Sequence, residues 1–218
     1  MQISFIKNDH TELLNLFFLG YGQDAGVLRE LLLKAPSDVA VVYDFRNFEF
    51  DESLFRDYER ISLMTWSMGV SIAPHILRDS SLLKKIVSAY AINGTLEGID
   101  DKLGIPLKMW NATIDAMSES SALKFFRRMC SSSEIYDNYM SHREGVDVPA
   151  LKDELVSIRD FILNKGTGFF AYNHAYISAK DRIMSAENQK ASWEKHEIDH
   201  EVIENSHYCP EVFADILK

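Results

Sequence analysis

Cysteine is scarce in this chain: Cys130 and Cys209 are the only two in 218 residues, and they lie far apart. That excludes a disulfide framework and points to reduced thiols in a reducing compartment, neither with the setting of a catalytic thiol. Basic residues are also short, 23 Lys and Arg against 33 Asp and Glu, for a net charge of −10. Nucleic acid and anionic membranes both demand a basic surface, so neither is an expected partner, and an acidic protein partner would need a local basic patch. No apolar run approaches the roughly 18 to 20 residues that cross a bilayer. The start, Met1-Gln2-Ile3-Ser4-Phe5-Ile6-Lys7, lacks the basic opening and long apolar centre of a signal peptide. The expectation is a cytoplasmic protein working as a monomer. Repeats and low-complexity tracts are missing too.

What is present is an apolar content of 46% over a length suited to one sizeable domain. Short continuous apolar runs recur: Leu14 to Leu19, Val39 to Tyr43, Ile61 to Trp66, Ile86 to Ala91 and Ala175 to Ile177. Such runs are the mark of strands buried on both faces, and helical segments such as Val27 to Leu33 supply the crossovers. The fold class is therefore α/β with a mostly parallel sheet. From Asp101 to Lys165 the alternation stops, and helical faces replace it: Trp110, Ile114 and Met117 share one, and Leu151, Leu155, Ile158 and Ile162 share another. The spacing predicts a single domain, residues 1–218, with a helical cap inserted at about 101–165. Ser131-Ser132-Ser133 and Gly145-Val146-Asp147-Val148-Pro149 are turns within the cap, and Lys165-Gly166-Thr167-Gly168 marks the return to the sheet.

Thr65-Trp66-Ser67-Met68-Gly69 sits where an apolar run ends and a helix-compatible run begins. A serine at such a corner is a nucleophile elbow, whose tight turn demands small residues around it and pushes the hydroxyl outward. Gly69 satisfies that demand, while Thr65 departs from the usual glycine. In the α/β-hydrolase fold the acid and then the histidine follow the serine. Asp181 follows a strand-like run, where open sheets place function. His207 lies near the C-terminus after Ile198 to Ile203, a candidate last strand, and before a final helix from Glu211 to Leu217. Leu19-Gly20-Tyr21-Gly22 is the candidate oxyanion loop, with the amides of Tyr21 and Met68 as donors. Gly20, Gly22 and Trp66 are expected beside the substrate.

A competing motif is His196-Glu197-Ile198-Asp199-His200, which matches the H-E-x-x-H pattern of zinc hydrolases, with His207 as a conceivable third ligand. It requires a helix carrying His196 and His200 on one face, yet only Ile198 is apolar between His196 and Glu201. His10, His75, His142 and His174 read as solvated or structural, and Phe17-Phe18 and Phe169-Phe170 as core.

Beyond the triad, Phe18-Leu19-Gly20-Tyr21-Gly22, Val42-Tyr43-Asp44-Phe45, Trp66-Ser67-Met68-Gly69-Val70, Ala91-Ile92-Asn93-Gly94-Thr95 with Gly104-Ile105-Pro106, Leu123-Lys124-Phe125-Phe126-Arg127-Arg128-Met129-Cys130 and Tyr176-Ile177-Ser178-Ala179-Lys180-Asp181-Arg182-Ile183 form a set. Together they resemble, over nearly the whole chain, the short pimeloyl-[acyl-carrier protein] methyl ester esterases of biotin synthesis, the BioG type, within the α/β-hydrolase superfamily. Tyr21 stands where tryptophan is commoner in such enzymes, which matters little if its backbone amide is the donor. The resemblance implies hydrolysis of a methyl ester on a pimeloyl chain held by acyl carrier protein, with Ser67, His207 and Asp181 as triad and no metal or other cofactor. Residue chemistry alone reaches only a serine esterase with a helical cap. A small-ester carboxylesterase, a zinc-dependent hydrolase and a non-catalytic hydrolase-fold binding protein are the alternatives. Residues 101–165 carry nine of the basic and ten of the acidic residues, so the rest of the chain holds −9 of the −10 charge. Lys124, Arg127 and Arg128 are accordingly expected to face the carrier, with Leu123 and Phe126 turned to the acyl channel.

Overall fold

The computed structural model describes residues 1–218. Seven strands form one sheet in the order β1-β3-β2-β4-β5-β6-β7. They are β1 (Gln2–Lys7), β2 (Leu13–Phe18), β3 (Asp38–Tyr43), β4 (Arg60–Trp66), β5 (Ile86–Ile92), β6 (His174–Ser178) and β7 (His200–Ile203). All neighbours pair in parallel except β1, which runs antiparallel to β3. The central strands bury nearly every residue, which is why they read as unbroken apolar runs. The N-terminal strand is legible only in retrospect. As an edge strand it buries one face in part, so Gln2, Ser4 and Lys7 interrupt its apolar pattern.

Helices α1 (Arg29–Leu32), α2 (Met68–Leu77), α7 (Ala186–Lys195) and α8 (Pro210–Ile216) belong to the body. The first is shorter than the run from Val27 predicts, and β7 starts at His200 rather than Ile198. Between β5 and β6 lie α3 (Leu107–Asp115), α4 (Glu119–Met129), α5 (Ser133–His142) and α6 (Val148–Lys165). Their ends are written locally: Ser118, Ser132 and Asp147 accept hydrogen bonds from the first turns of α4, α5 and α6, and Gly166 closes α6 at φ 71°. The expected turn at Ser131 to Ser133 is thus a helix start.

Trp110, Phe126, Leu155 and Ile158 of this insertion join Leu16, Met64 and Val70 of the body in one continuous core. Phe169 departs from expectation: it is 81% exposed, and Phe170 alone is buried. No helix or strand spans 166–173, and these adjacent side chains take opposite sides. The loops that follow β2, β4, β5, β6 and β7 leave from the carboxyl edge of the parallel sheet, beneath the insertion, and that edge is where such sheets place their chemistry.

Candidate active site

Ser67 joins β4 directly to α2 with φ 56° and ψ −122°. A non-glycine residue there stores on the order of 1 to 3 kcal/mol of strain, which the packing around it must hold. An added Cβ at Gly69 would lie 2.4 Å from the Phe18 carbonyl oxygen, and one at Gly20 would lie 2.8 Å from Ser67 Cβ. Glycine at both positions is what lets β2 and its loop close on the elbow. Thr65 is accommodated by polar partners instead of by lacking a side chain. Its hydroxyl lies 3.1 Å from both the Tyr90 carbonyl oxygen and the Tyr172 hydroxyl, and Tyr172 donates to the Val70 carbonyl.

His207 Nε2 is 2.9 Å from Ser67 Oγ, and its Nδ1 is 2.8 Å from Asp181 Oδ2. With the proton on Nδ1, the imidazole is free to accept from the serine hydroxyl. The carboxylate is saturated: Oδ1 accepts from the Ile183 and Met184 amides, and Oδ2 also accepts from Gln189 Nε2 at 3.0 Å. The loop bearing His207 is tied down at its carbonyl, which accepts from Trp66 Nε1 and Asn93 Nδ2, both at 2.9 Å. Asn93, at φ 48°, also accepts from the Ser178 amide, so one side chain joins the exits of β5, β6 and β7. Neither Gln189 nor Asn93 was identifiable as a site residue from the sequence. Asn93 carried one signal, a position directly after a buried strand and before glycine.

A narrow cavity of about 80 Å³ opens on Ser67. Tyr21, Met68, Trp110, Phe125 and Leu155 form its apolar wall, while Arg128 and Arg182 stand at its rim, exposed and without ion-pair partners. The Tyr21 ring packs edge-on against Phe125 at 5.3 Å, and burial, with Glu154 nearby, pushes its phenol upward. A larger groove of about 710 Å³ lies between α1, α5 and α8. Its lining holds no counterpart of the Ser67–His207 hydrogen bond.

The structure corrects several placements. Trp66 is fully buried and packs against Phe213 and Tyr208, so it holds the His207 loop rather than touching substrate. Phe126 is buried against Tyr139, and its neighbour Phe125 lines the cavity. Leu123 lies with Lys124 and Arg127 on an outer groove. Arg127 donates to the Cys130 carbonyl and Ser133, while Arg128 turns to the Ser67 cavity. The three basic residues therefore do not share one face, because the adjacent positions 127 and 128 point about 100° apart around α4. Gly22 lies behind the cavity wall, against Leu151. His196 ends α7 and bonds Glu97, whereas His200 opens β7 and bonds the Ile198 carbonyl, so the segment lacks the single helical face that the H-E-x-x-H pattern requires.

This arrangement has solved relatives. The crystal structure of BioG from Haemophilus influenzae superposes with a TM-score of 0.86 at 28% identity, over 98% of this chain and 97% of that one. An esterase from Exiguobacterium antarcticum, 12% identical, superposes with a TM-score of 0.72 over 99% and 92% of the two chains, a likeness of fold alone. The fold is that of the α/β-hydrolases. A Bacteroides fragilis protein named malonyl-[acyl-carrier protein] O-methyltransferase is 34% identical over 202 residues, which are 93% of this chain and 41% of that protein. The chain thus spans about two fifths of that relative's length. Residues 1–216 match the family of the pimeloyl-ACP methyl esterase BioG, and the chain belongs to that family.

Proposed function

We propose that this chain removes the methyl ester from a pimeloyl chain carried on acyl carrier protein (ACP), in biotin synthesis, by serine catalysis. The observation that carries the reading is the unbroken relay from Ser67 Oγ through His207 to Asp181, 2.9 and 2.8 Å per link, with Ser67 lining a mostly apolar cavity. Ser67 Oγ attacks the ester carbonyl carbon as His207 Nε2 takes its proton. The carbonyl oxygen becomes an oxyanion facing the amides of Tyr21 and Met68. Collapse of the adduct expels methanol, which receives the proton from His207. Water then adds to the acyl-enzyme with His207 again as base, and the free carboxylic acid leaves Ser67 restored. Asp181 keeps the Nδ1 proton in place throughout. Every group is supplied by the chain, so the reading needs no metal or cofactor.

Helices α3 to α6 serve as the cap in this reading, and Phe125, Trp110 and Leu155 contact the acyl chain. Arg128 and Arg182, at the cavity rim, suit an anionic group arriving with the substrate, such as the carrier or the phosphate of its prosthetic group. Lys124 and Arg127 would meet the carrier only if it reaches the outer face of α4. The name of the Bacteroides fragilis relative describes methyl transfer to an ACP-bound acid, which forms the kind of ester that an esterase removes. We place the reaction in the cytoplasm, where Cys130 and Cys209, both buried, stay reduced, and take the monomer as the working form.

The test offers the purified chain the methyl ester of pimeloyl-ACP beside a panel of small soluble esters and follows methanol release, with Ser67→Ala as control. A kcat/KM on the carrier-bound ester that exceeds the panel supports the reading. The narrow cavity keeps a small-ester carboxylesterase as the second reading, and equal or better turnover of short soluble esters would select it. No turnover of any ester would leave a binding protein.

A further inference from the structure

Glu154 lies on α6, is 4% exposed, and spends both carboxylate oxygens on backbone amides of the body. Oε2 accepts from the Gly22 N–H and Oε1 from the Phe45 N–H, each at 3.0 Å. The Tyr21 carbonyl, in the same peptide plane as the Gly22 N–H, accepts from Gln23 Nε2 at 2.9 Å. Gln23 is held in turn by the Tyr139 hydroxyl of α5. The next peptide is pinned as well, because Arg143 Nη1, just beyond α5, donates to the Gly22 carbonyl at 2.8 Å. The guanidinium lies 4.0 Å from the centre of the Phe126 ring. Gly22 sits at φ 68°, a conformation that would relax readily in a free loop. Two side chains, an acid and a base, both from the insertion, thus grip the N–H and the C=O of one residue.

We propose that Glu154 and Arg143 are positioning residues for the oxyanion hole. By fixing both peptides that flank Gly22, they set the direction in which the neighbouring Tyr21 N–H points. Tyr21 precedes the pinned plane, which anchors one end of its ψ rotation, and no acceptor in the protein takes its N–H. An oxyanion donor works only if it is aimed before the charge develops. A buried carboxyl is a costly way merely to attach a helix, whereas its two oxygens let one side chain hold two backbone amides at once. This rests on the reading of Ser67 as nucleophile.

The experiment measures Glu154→Gln and Arg143→Lys in the full chain. Gln keeps one acceptor and offers an NH₂ where a second amide needs an oxygen, and Lys keeps the charge without the fork. Both are first checked for cooperative unfolding above the assay temperature. Three readouts follow: kcat and KM on a soluble ester, affinity for an alkyl boronic acid that Ser67 adds to as a tetrahedral anion, and affinity for the matching ether with CH₂ in place of the carbonyl. The expected result is kcat lower by about 10- to 100-fold, boronate binding weaker by a similar factor, and ether binding and KM changed less than about threefold. Unchanged boronate affinity in a folded variant, or equal loss for boronate and ether, overturns the proposal, since the latter is what a merely structural prop would give. If Glu154→Gln does not fold, Arg143→Lys alone decides by the same readouts. Ser67→Ala separates the two levels: full activity without Ser67 overturns the triad reading itself, while an inert Ser67→Ala beside unaffected clamp variants overturns only the clamp.

Discussion

Ser67 and Gly20, on the sheet side of the cavity, are fixed by backbone conformation and close backbone approach: a positive φ, and glycines that let β2 approach the elbow. Phe125, Arg128 and Glu154, on the insertion side, are fixed by packing and hydrogen bonds that reach across the chain, 132 positions in the case of Glu154 and Gly22. The first kind of constraint leaves a short motif behind. The second leaves only an amphipathic helix, and which of its neighbouring residues enters the cavity depends on how that helix is rolled against the body.

Breaking the sheet side should produce the larger losses. Ser67→Ala or His207→Ala is expected to lower kcat by about 10⁴- to 10⁶-fold with the unfolding transition retained, measured by methanol release from the carrier-bound ester. Asp181→Asn should follow at about 10⁴, because the amide favours the wrong imidazole tautomer. A Ser67→Ala enzyme with substantial turnover would refute the relay.

On the insertion side the contrast lies within one helix turn. Arg128→Ala with Arg182→Ala should raise KM for the carrier-bound ester by about tenfold, the equivalent of one charge-assisted contact. Arg127→Ala should change it far less, since Arg127 is engaged on the outer face. The Arg128 and Arg182 effect should fade as salt rises, because exposed charges act over about 8 Å at physiological ionic strength. Equal losses on small soluble esters would mean that the rim arginines support the cavity instead of the carrier.

The smallest effect sharpens the comparison through stability. Burial pushes the Glu154 carboxyl up to about 7 from an ordinary 4.5, against the pull of its two backbone donors; Asp44, Arg46, the Tyr21 phenol and the N-terminal ammonium are the charged and titratable groups around it. Between those pH values the folded chain keeps a proton that the unfolded chain has lost, so this group's contribution to stability falls as pH rises through the window. Urea unfolding at pH 5 and pH 8 should show the natural chain losing stability relative to Glu154→Gln. Parallel curves for the two proteins would show that Glu154 is ionised throughout.

The fold was legible because buried parallel strands are nearly all apolar, and Val39 to Tyr43 or Ile61 to Trp66 can hardly be anything else. The edges were not: β1 mixes polar and apolar residues, and its pairing with β3 has no local mark. The elbow was legible as Ser67 with Gly69 after it, and the order of Ser67, Asp181 and His207 followed from strand exits. Trp66 misled because an aromatic beside a nucleophile looks like a substrate contact, and only the alternation of side chains along β4 sends it beneath the sheet to the His207 carbonyl. Phe126 misled for the related reason that two adjacent phenylalanines are equally apolar, and helix roll alone assigns one to the core and the other to the cavity.

Strand composition, turn residues and the placing of Ser67, Asp181 and His207 at strand exits were therefore settled along the chain, because each depends on the conformational preference of a few consecutive residues. The roll of α4, the reach of Asn93 and Gln189 into the His207 and Asp181 loops, and the grip of Glu154 and Arg143 on Gly22 were settled only on folding. A hydrogen bond between residues remote in sequence is chosen by where packing sets its two ends, and neither end carries the other's address.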